Sequence, residues 1–317
     1  MIEPCVLLGI HARKSGHNAE SESAHSMTAA VKEAVELVHN YGVTRAAVQF
    51  FSSGPRNFKP NFDEDDAVEL AHYISTSGVA AVIHGSYADN PWEPNHNAAM
   101  IHNIKREMIL AGQLGATGVI IHLGAGAAHA AICTSVLGRI ASGLPDDIKA
   151  STTLWLEINA ARPTQSTFET PEKLHKLFAH ARSAIASGTG QPLKVGLCID
   201  TAHLHSCGVK LDTYEAAEEW LTGLEDEWHQ GSPIMLHLND SAAELGSGKD
   251  VHEVVCRGNI WGAFNPDRVD ALPIESSGLI AILDWAVAGD HVVILERNED
   301  GVIHDLSLLR QLGYFQN

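Results

Sequence analysis

An eight-stranded parallel α/β barrel of the TIM type is the fold this 317-residue sequence predicts. Three observations lead there. Eight short apolar runs have the length of buried strands. They alternate with segments of helical periodicity, the pattern of a parallel sheet, and eight such units suit a closed barrel better than an open one. The last six runs also end in residues of metal-ligand type: VAAVIH at His84, GVIIH at His122, TLWLE at Glu157, VGLCID at Asp200, PIMLH at His237 and VVILE at Glu296. In a closed parallel barrel the carboxyl ends of all strands meet on one face, so residues far apart in sequence converge there.

The elements follow in order. CVLLGI (5–10) reads as the first strand and RAAVQF (45–50) as the second. Between them, SMTAAVKEAVELVHNYG puts Ala30, Val31, Ala34, Val35 and Val38 on one stripe and stops at Asn40-Tyr41-Gly42, a helix with a C-terminal signal. DEDDAVELAHYISTSG begins with acidic residues, favourable at a helix N-terminus, and ends at Gly78. Further helices are expected over 93–115, 128–141, 171–187, 213–229, 275–288 and 304–312. The longest stretch without periodicity runs from Ser241 to Leu272, and a loop of that length is usually functional. No linker or low-complexity tract interrupts the pattern, so residues 1–317 are expected to form one domain.

Bulk composition narrows the function classes. With 45% hydrophobic and 19% charged residues, a large core is possible and global disorder is excluded. MIEPCVLLGI lacks the basic region and long apolar stretch of a signal peptide, and no apolar stretch approaches the ~20 residues that span a bilayer. A soluble, intracellular protein with no membrane partner is expected, in the cytoplasm or the nucleus. The cysteines Cys5, Cys133, Cys198, Cys207 and Cys256 are odd in number and form no CxxC pair, which argues for free thiols in a reducing compartment. The formal net charge of −18, taken alone, argues against binding nucleic acid.

Two shorter motifs extend the ligand set. DTAH places His203 three residues after Asp200, and DVH supplies Asp250 and His252. A single histidine or carboxylate at a strand end is ordinarily a hydrogen-bonded structural residue. Nine of them converging on one pocket would be costly to bury without cations. Five imidazoles and four carboxylates suit more than one zinc-like ion. Carboxylates can bridge ions, and clusters with metals roughly 3.5–4 Å apart are typical of phosphoryl-ester hydrolysis. Loaded with divalent ions, the pocket would be locally positive on an acidic protein.

The strings HGSY (84–87), LCIDTAH (197–203), LHLNDS (236–241) and DVHE (250–253) resemble endonuclease IV, the zinc-dependent class II apurinic/apyrimidinic (AP) endonuclease family. The resemblance extends from GIHARKSG (9–16) to ILERNED (294–300), and LCIDTAH followed by HLNDS is its most specific part. It implies a first zinc held by His84, His122 and Glu157. A second would be held by Glu157 as a bridge with Asp200, His237 and Glu296, and a third by His203, Asp250 and His252. Glu157 is accordingly the residue on which catalysis is expected to turn, and manganese is an alternative ion at one or more positions. The resemblance further implies hydrolysis of the phosphodiester 5′ to abasic sites in double-stranded DNA. Water would be activated between two zincs, with the third at the leaving oxygen. Products would be a 3′-hydroxyl and a 5′-deoxyribose phosphate, with trimming of blocked 3′ ends as a second activity and a monomer as the working state.

Tyr87 and Arg56 match residues that enter the damaged duplex, and His11 and Gln49 are further candidates to line the pocket. Lys249 and Arg257 flank the third-metal motif, where they could meet phosphate or stand as solvated charges. The sequence departs from the family pattern at three places. INAARPTQ (158–165) replaces a Gly-rich turn after Glu157, Ala88 replaces a large apolar residue, and Val251 replaces an arginine. All three lie on the presumed DNA side and spare the ligands. Two other readings stay open: a sugar isomerase-like barrel with one or two ions, and a non-catalytic protein that holds damaged DNA.

Overall fold

The computed structural model describes residues 6–13, 26–54, 60–87, 91–92, 98–124, 130–165, 168–186, 190–227 and 232–315. Eight parallel strands close into a barrel: β1 (Leu7–His11), β2 (Ala46–Phe51), β3 (Ala80–His84), β4 (Gly118–His122), β5 (Thr153–Glu157), β6 (Lys194–Asp200), β7 (Ile234–His237) and, last in the chain, β10 (Val292–Leu295). Each strand pairs with the next, and β10 returns to β1 through Leu7↔Val292 to Ile10↔Leu295. The barrel expected from the alternation of runs is therefore the one found.

The helices form where the pattern puts them, with caps that explain their starts. Ser26 caps α1 (Met27–Asn40) by accepting from the Ala29 amide, and Asp63 caps α2 (Glu64–Ser77) by accepting from the Asp66 amide. Asp66 in turn accepts from the amides of Met27 and Thr28, tying the starts of the two helices together. Then come α3 (Ala98–Leu114), α4 (Ala130–Ala141), α5 (Asp146–Ser151), α6 (Pro171–Ala186), α7 (Thr201–Ser206) and α8 (Tyr214–Glu227), with α9 (Gly278–Ala288) and α10 (Glu299–Gln311) at the end. Two helices, α5 and α7, are absent from the sequence expectation because six residues are too few to display a 3.6-residue period. Helix α10 begins five residues earlier than the expected 304, where Asn298 caps it by accepting from the Gly301 amide. The Ser241–Leu272 stretch is not bare loop: β8 (Asp240–Ser241) pairs antiparallel with β9 (His252–Glu253), and a 3-10 turn covers Gly262–Phe264. No described helix is long and apolar enough to cross a membrane.

Strand periodicity divides the core in two and sets the site. Outward residues such as Leu8, Val48, Ile83, Val119, Leu156, Leu197 and Leu236 pack against the helices in the main core. Inward residues Ala47, Val82, Ile120, Trp155, Cys198, Met235 and Ile294 fill the barrel interior as a separate cluster. Successive strand residues alternate faces, so the position two beyond an inward residue also faces inward. Two residues beyond this plug lie Gln49, His84, His122, Glu157, Asp200, His237 and Glu296. The barrel is thus apolar through its middle and polar at its carboxyl end.

A candidate metal centre at the carboxyl end of the barrel

Glu157 is the hub. Its Oε2 lies 3.2 Å from His84 Nε2 and 3.0 Å from His122 Nε2, and its Oε1 lies 3.0 Å from His237 Nδ1. Strand register explains part of this: His122 pairs with Glu157 and Asp200 pairs with His237 on adjacent strands. His237 Nδ1 also lies 3.2 Å from Glu296 Oε2 and 3.9 Å from Asp200 Oδ2. Asp200 ends β6 and caps α7, its Oδ1 accepting from the His203 amide at 2.9 Å. That cap makes the first turn of α7 deliver His203 to the pocket. The β8–β9 hairpin brings Asp250 and His252 over the same edge. Asp250 Oδ1 is 2.9 Å from His252 Nε2 and 3.3 Å from His203 Nε2.

All nine candidate ligands therefore meet. The donor atoms of eight of them fall into groups within 4.8 Å of one another: His84, His122 and Glu157; Glu157, Asp200, His237 and Glu296; Asp200, His203 and His252; Asp250 joins the last through its contacts with His203 and His252. Glu157 belongs to the first two, as expected of a bridge. Asp200 also borders the third, with its Oδ2 at 3.6 Å from His252 Nε2, a link the sequence reading did not include.

The donor set fits cations. His84 Nδ1–H donates to the Gly85 carbonyl and His203 Nδ1–H to the Ile158 carbonyl, each at 2.8 Å, while His237 Nε2–H donates to Gln49 Oε1 at 2.8 Å. Each ring thereby turns its other nitrogen toward carboxylates, the orientation that metal-binding histidines adopt. Glu157 Oε2, His203 Nε2 and His252 Nε2 are buried without a hydrogen-bond partner, which is costly unless something else satisfies them. Without ions, protons take that place. Burial opposes the charged forms, but the facing charges outweigh it: His203 and His237 are raised well above the ordinary imidazole value, and Glu157 and Glu296 are held well below the carboxylate value.

A further layer holds the ligands and was only partly legible. Asn239 Nδ2 donates to Asp200 Oδ2 at 2.6 Å and to Glu296 Oε2 at 3.2 Å. Thr201 fixes Asn239 in turn, its hydroxyl donating to the Asn239 carbonyl at 2.6 Å and accepting from its amide at 2.9 Å. Both residues stand inside the quoted strings LCIDTAH and LHLNDS, yet no spacing rule marks an asparagine as a brace. Gln49 reaches Glu296 Oε1 at 2.6 Å and His11 Nδ1 at 2.9 Å. Burial pushes the His11 pKa down to about 3, so this ring stays neutral and accepts the Gln49 bond.

Tyr87 lies at the rim, half exposed, stacked on His122 with centroids 5.3 Å apart and edge-on to His84. Burial raises its phenol pKa, so the hydroxyl keeps its proton. Beside it opens a cavity of about 600 Å³ lined by His11, Arg13, Phe51, Tyr87, Asp250 and Glu296, among others. Arg56 and Ala88 lie outside the described residues. Lys249 is exposed, and Arg257 approaches Asp267 at 3.6 Å.

Fold and site together define an α/β barrel whose carboxyl face gathers side chains of metal-ligand type. Residues 35–266 match the family model described as a xylose isomerase-like TIM barrel, that of AP endonuclease family 2. The chain belongs to this family, the endonuclease IV family. It is 32% identical over 274 residues to a "Probable AP endonuclease" of African swine fever virus, covering 86% of each chain. It is also 32% identical over 266 residues to a "Probable endonuclease 4" of Haloarcula marismortui, covering 81% of this chain and 89% of that one. A crystal structure described as AsfvAP:AG superposes with a TM-score of 0.82 at 28% identity, over 97% of this chain and 99% of the other.

Proposed function

We propose that this protein is a class II AP endonuclease of base-excision DNA repair. In this reading it hydrolyses the phosphodiester 5′ to abasic sites in double-stranded DNA, leaving a 3′-hydroxyl and a 5′-deoxyribose phosphate, and trims blocked 3′ ends. The observation that carries the reading is the sharing of ligands between adjacent donor groups, because a bridge at Glu157 calls for two neighbouring ions and the Asp200 link for a third. The assignment is His84, His122 and Glu157 for the first zinc; Glu157, Asp200, His237 and Glu296 for the second; His203, Asp250 and His252 for the third. Manganese can substitute where carboxylates dominate. The names of the relatives supply the substrate class.

Bound ions would supply Lewis acidity toward the phosphate and an activated water. The chain's own residues do the rest. Gln49, Asn239 and Thr201 hold ligands in fixed orientations, and the apolar plug beneath keeps water from entering the site from below. Tyr87 offers an aromatic face and a phenolic proton at the rim, next to a cavity that suits an extrahelical sugar-phosphate. Arg56 is assigned to the DNA as well, on its match to the family pattern. We take the single barrel of residues 1–317 as a monomer.

The test is cleavage of a labelled duplex carrying one tetrahydrofuran abasic analogue, with and without a strong chelator, alongside elemental analysis. The analogue cannot undergo β-elimination, so a chelator-sensitive cut leaving a 3′-hydroxyl, with about three metals per chain, is the expected result. One or two ions and no cut would support the sugar isomerase-like alternative, which the family description brings forward. Full loading and tight binding without turnover would leave a damaged-DNA-binding protein.

A further inference from the structure

One donor at the centre belongs to none of the ion positions assigned above. Cys198 stands two residues before Asp200 on β6, fully buried, in the apolar plug that fills the barrel. Strand register sets it opposite Glu157 on β5 and opposite Met235 on β7. Its Sγ falls in one group with a carboxylate oxygen of Glu157 and a ring nitrogen of His237, all within 4.8 Å of one another. The three side chains are closed off from solvent. A thiol, a carboxylate and an imidazole therefore converge at the floor of the pocket, one layer below the Asp200 carboxylate.

Donor chemistry separates this group from the rest. The nine candidate ligands offer nitrogen and oxygen alone. Cys198 adds sulfur, and Met235, its in-register neighbour in the same interior cluster, brings a thioether to the same floor. Thiolate and thioether favour soft cations, whereas carboxylate suits harder ones. Cys133, Cys207 and Cys256 are buried as well, but among the described residues only Cys198 falls in a group of metal-ligand donors. Without an ion the thiol keeps its proton, because burial disfavours the thiolate, and it shares a hydrogen bond with His237. A cation that settles here must therefore displace that proton, which thiophilic ions do through the strength of their bond to sulfur.

We propose that Glu157, Cys198 and His237 form a site for a thiophilic cation of the cadmium class, set below the zinc positions and in competition with them. Binding forms a metal–sulfur bond and releases the thiol proton to solvent, with no change of oxidation state. The same ion takes up Glu157 and His237, the first of which bridges two zinc positions while the second serves one of them. Such an ion poisons the centre from beneath, by withdrawing its ligands, and leaves the side that faces the solvent open. The inference rests on the gathered donors, as the zinc assignment does, and not on the DNA substrate.

The test is a titration of the metal-stripped, full-length protein with Cd2+ alone, followed in the near ultraviolet by the thiolate-to-cadmium charge-transfer band. The wild-type protein should develop the band, and Cys198→Ser should lose it while circular dichroism stays native. X-ray absorption at the cadmium edge reads the same bond without a variant, and a sulfur neighbour is expected in the wild-type protein. A band that survives at full strength in Cys198→Ser, or bound cadmium with only nitrogen and oxygen neighbours, would overturn the site and leave the zinc centre and the nuclease reading intact. Uptake of Cd2+ through Cys198 by a protein that takes up no zinc would keep the site and remove the zinc assignment.

Discussion

Glu157 touches four imidazoles from one carboxylate, with distances of 3.0–3.4 Å to His84, His122, His203 and His237. Glu157→Gln keeps the shape and removes the charge that two neighbouring cations would share. Turnover of abasic duplex should fall by roughly 10³-fold, the several kcal/mol expected of metal-assisted charge stabilisation, while circular dichroism stays native. Asn239→Ala leaves every ligand in place but frees Asp200 and Glu296. Metal affinity, read by competition with a chromophoric chelator, should weaken about 10–100-fold. The two variants mark the limit of what the sequence reveals. Glu157 announces itself because a carboxylate ending an apolar strand is conspicuous. Asn239 does not, because amides are common and its role exists only once β6, β7 and β10 have come together; Gln49 was legible as a pocket-lining candidate but not as the partner of His237 and Glu296.

Among the elements, the strands were legible and the pieces between them less so. Alternation over four or more residues reveals a strand, but β8 and β9 hold two residues each and give no such signal. The hairpin they form is held from outside instead. Asp240 accepts from the amides of Ser241, Gly258, Ile260 and Trp261, and Asp305 of α10 accepts from the Val255 amide at 2.9 Å. Asp305 also binds Arg297 Nε at 2.6 Å, and Arg297 donates to the Leu238 carbonyl at 3.0 Å. This buried pair joins the ends of β7 and β10 to the loop after β9. Asp305→Ala strands the guanidinium in the interior and should cost about 3–5 kcal/mol. Thermal unfolding of the chelator-treated protein should show it as a fall of roughly 5–7 °C.

For the whole molecule, ions and folding are coupled. Four carboxylates and five histidines crowd one end of the barrel, and ions that bind only the folded state stabilise it by mass action. Stripping the metal should lower the melting temperature by roughly 10 °C or more, since a site at a thousandfold excess over its dissociation constant contributes ~4 kcal/mol. The difference between loaded and stripped protein should shrink in Glu157→Gln, because that variant weakens two ion positions at once. The net charge of −18, which taken alone argues against nucleic acid, would be offset locally by divalent ions in the pocket.

The closed barrel also governs which changes this lineage can accept. Each inward ligand sits two residues beyond an inward apolar residue on its own strand. Gaining or losing one residue within β3, β4, β5 or β6 would swing a ligand out among the helices and an aliphatic side chain into the pocket. Such a change is an all-or-nothing loss. The loops that follow the strands carry no such frame, and the turn at 158–165 carries an arginine and a proline beside the gathered ligands. Variation in what is gripped can therefore accumulate by insertion and substitution in the loops, while the reaction itself is inherited through the reading frame of the strands.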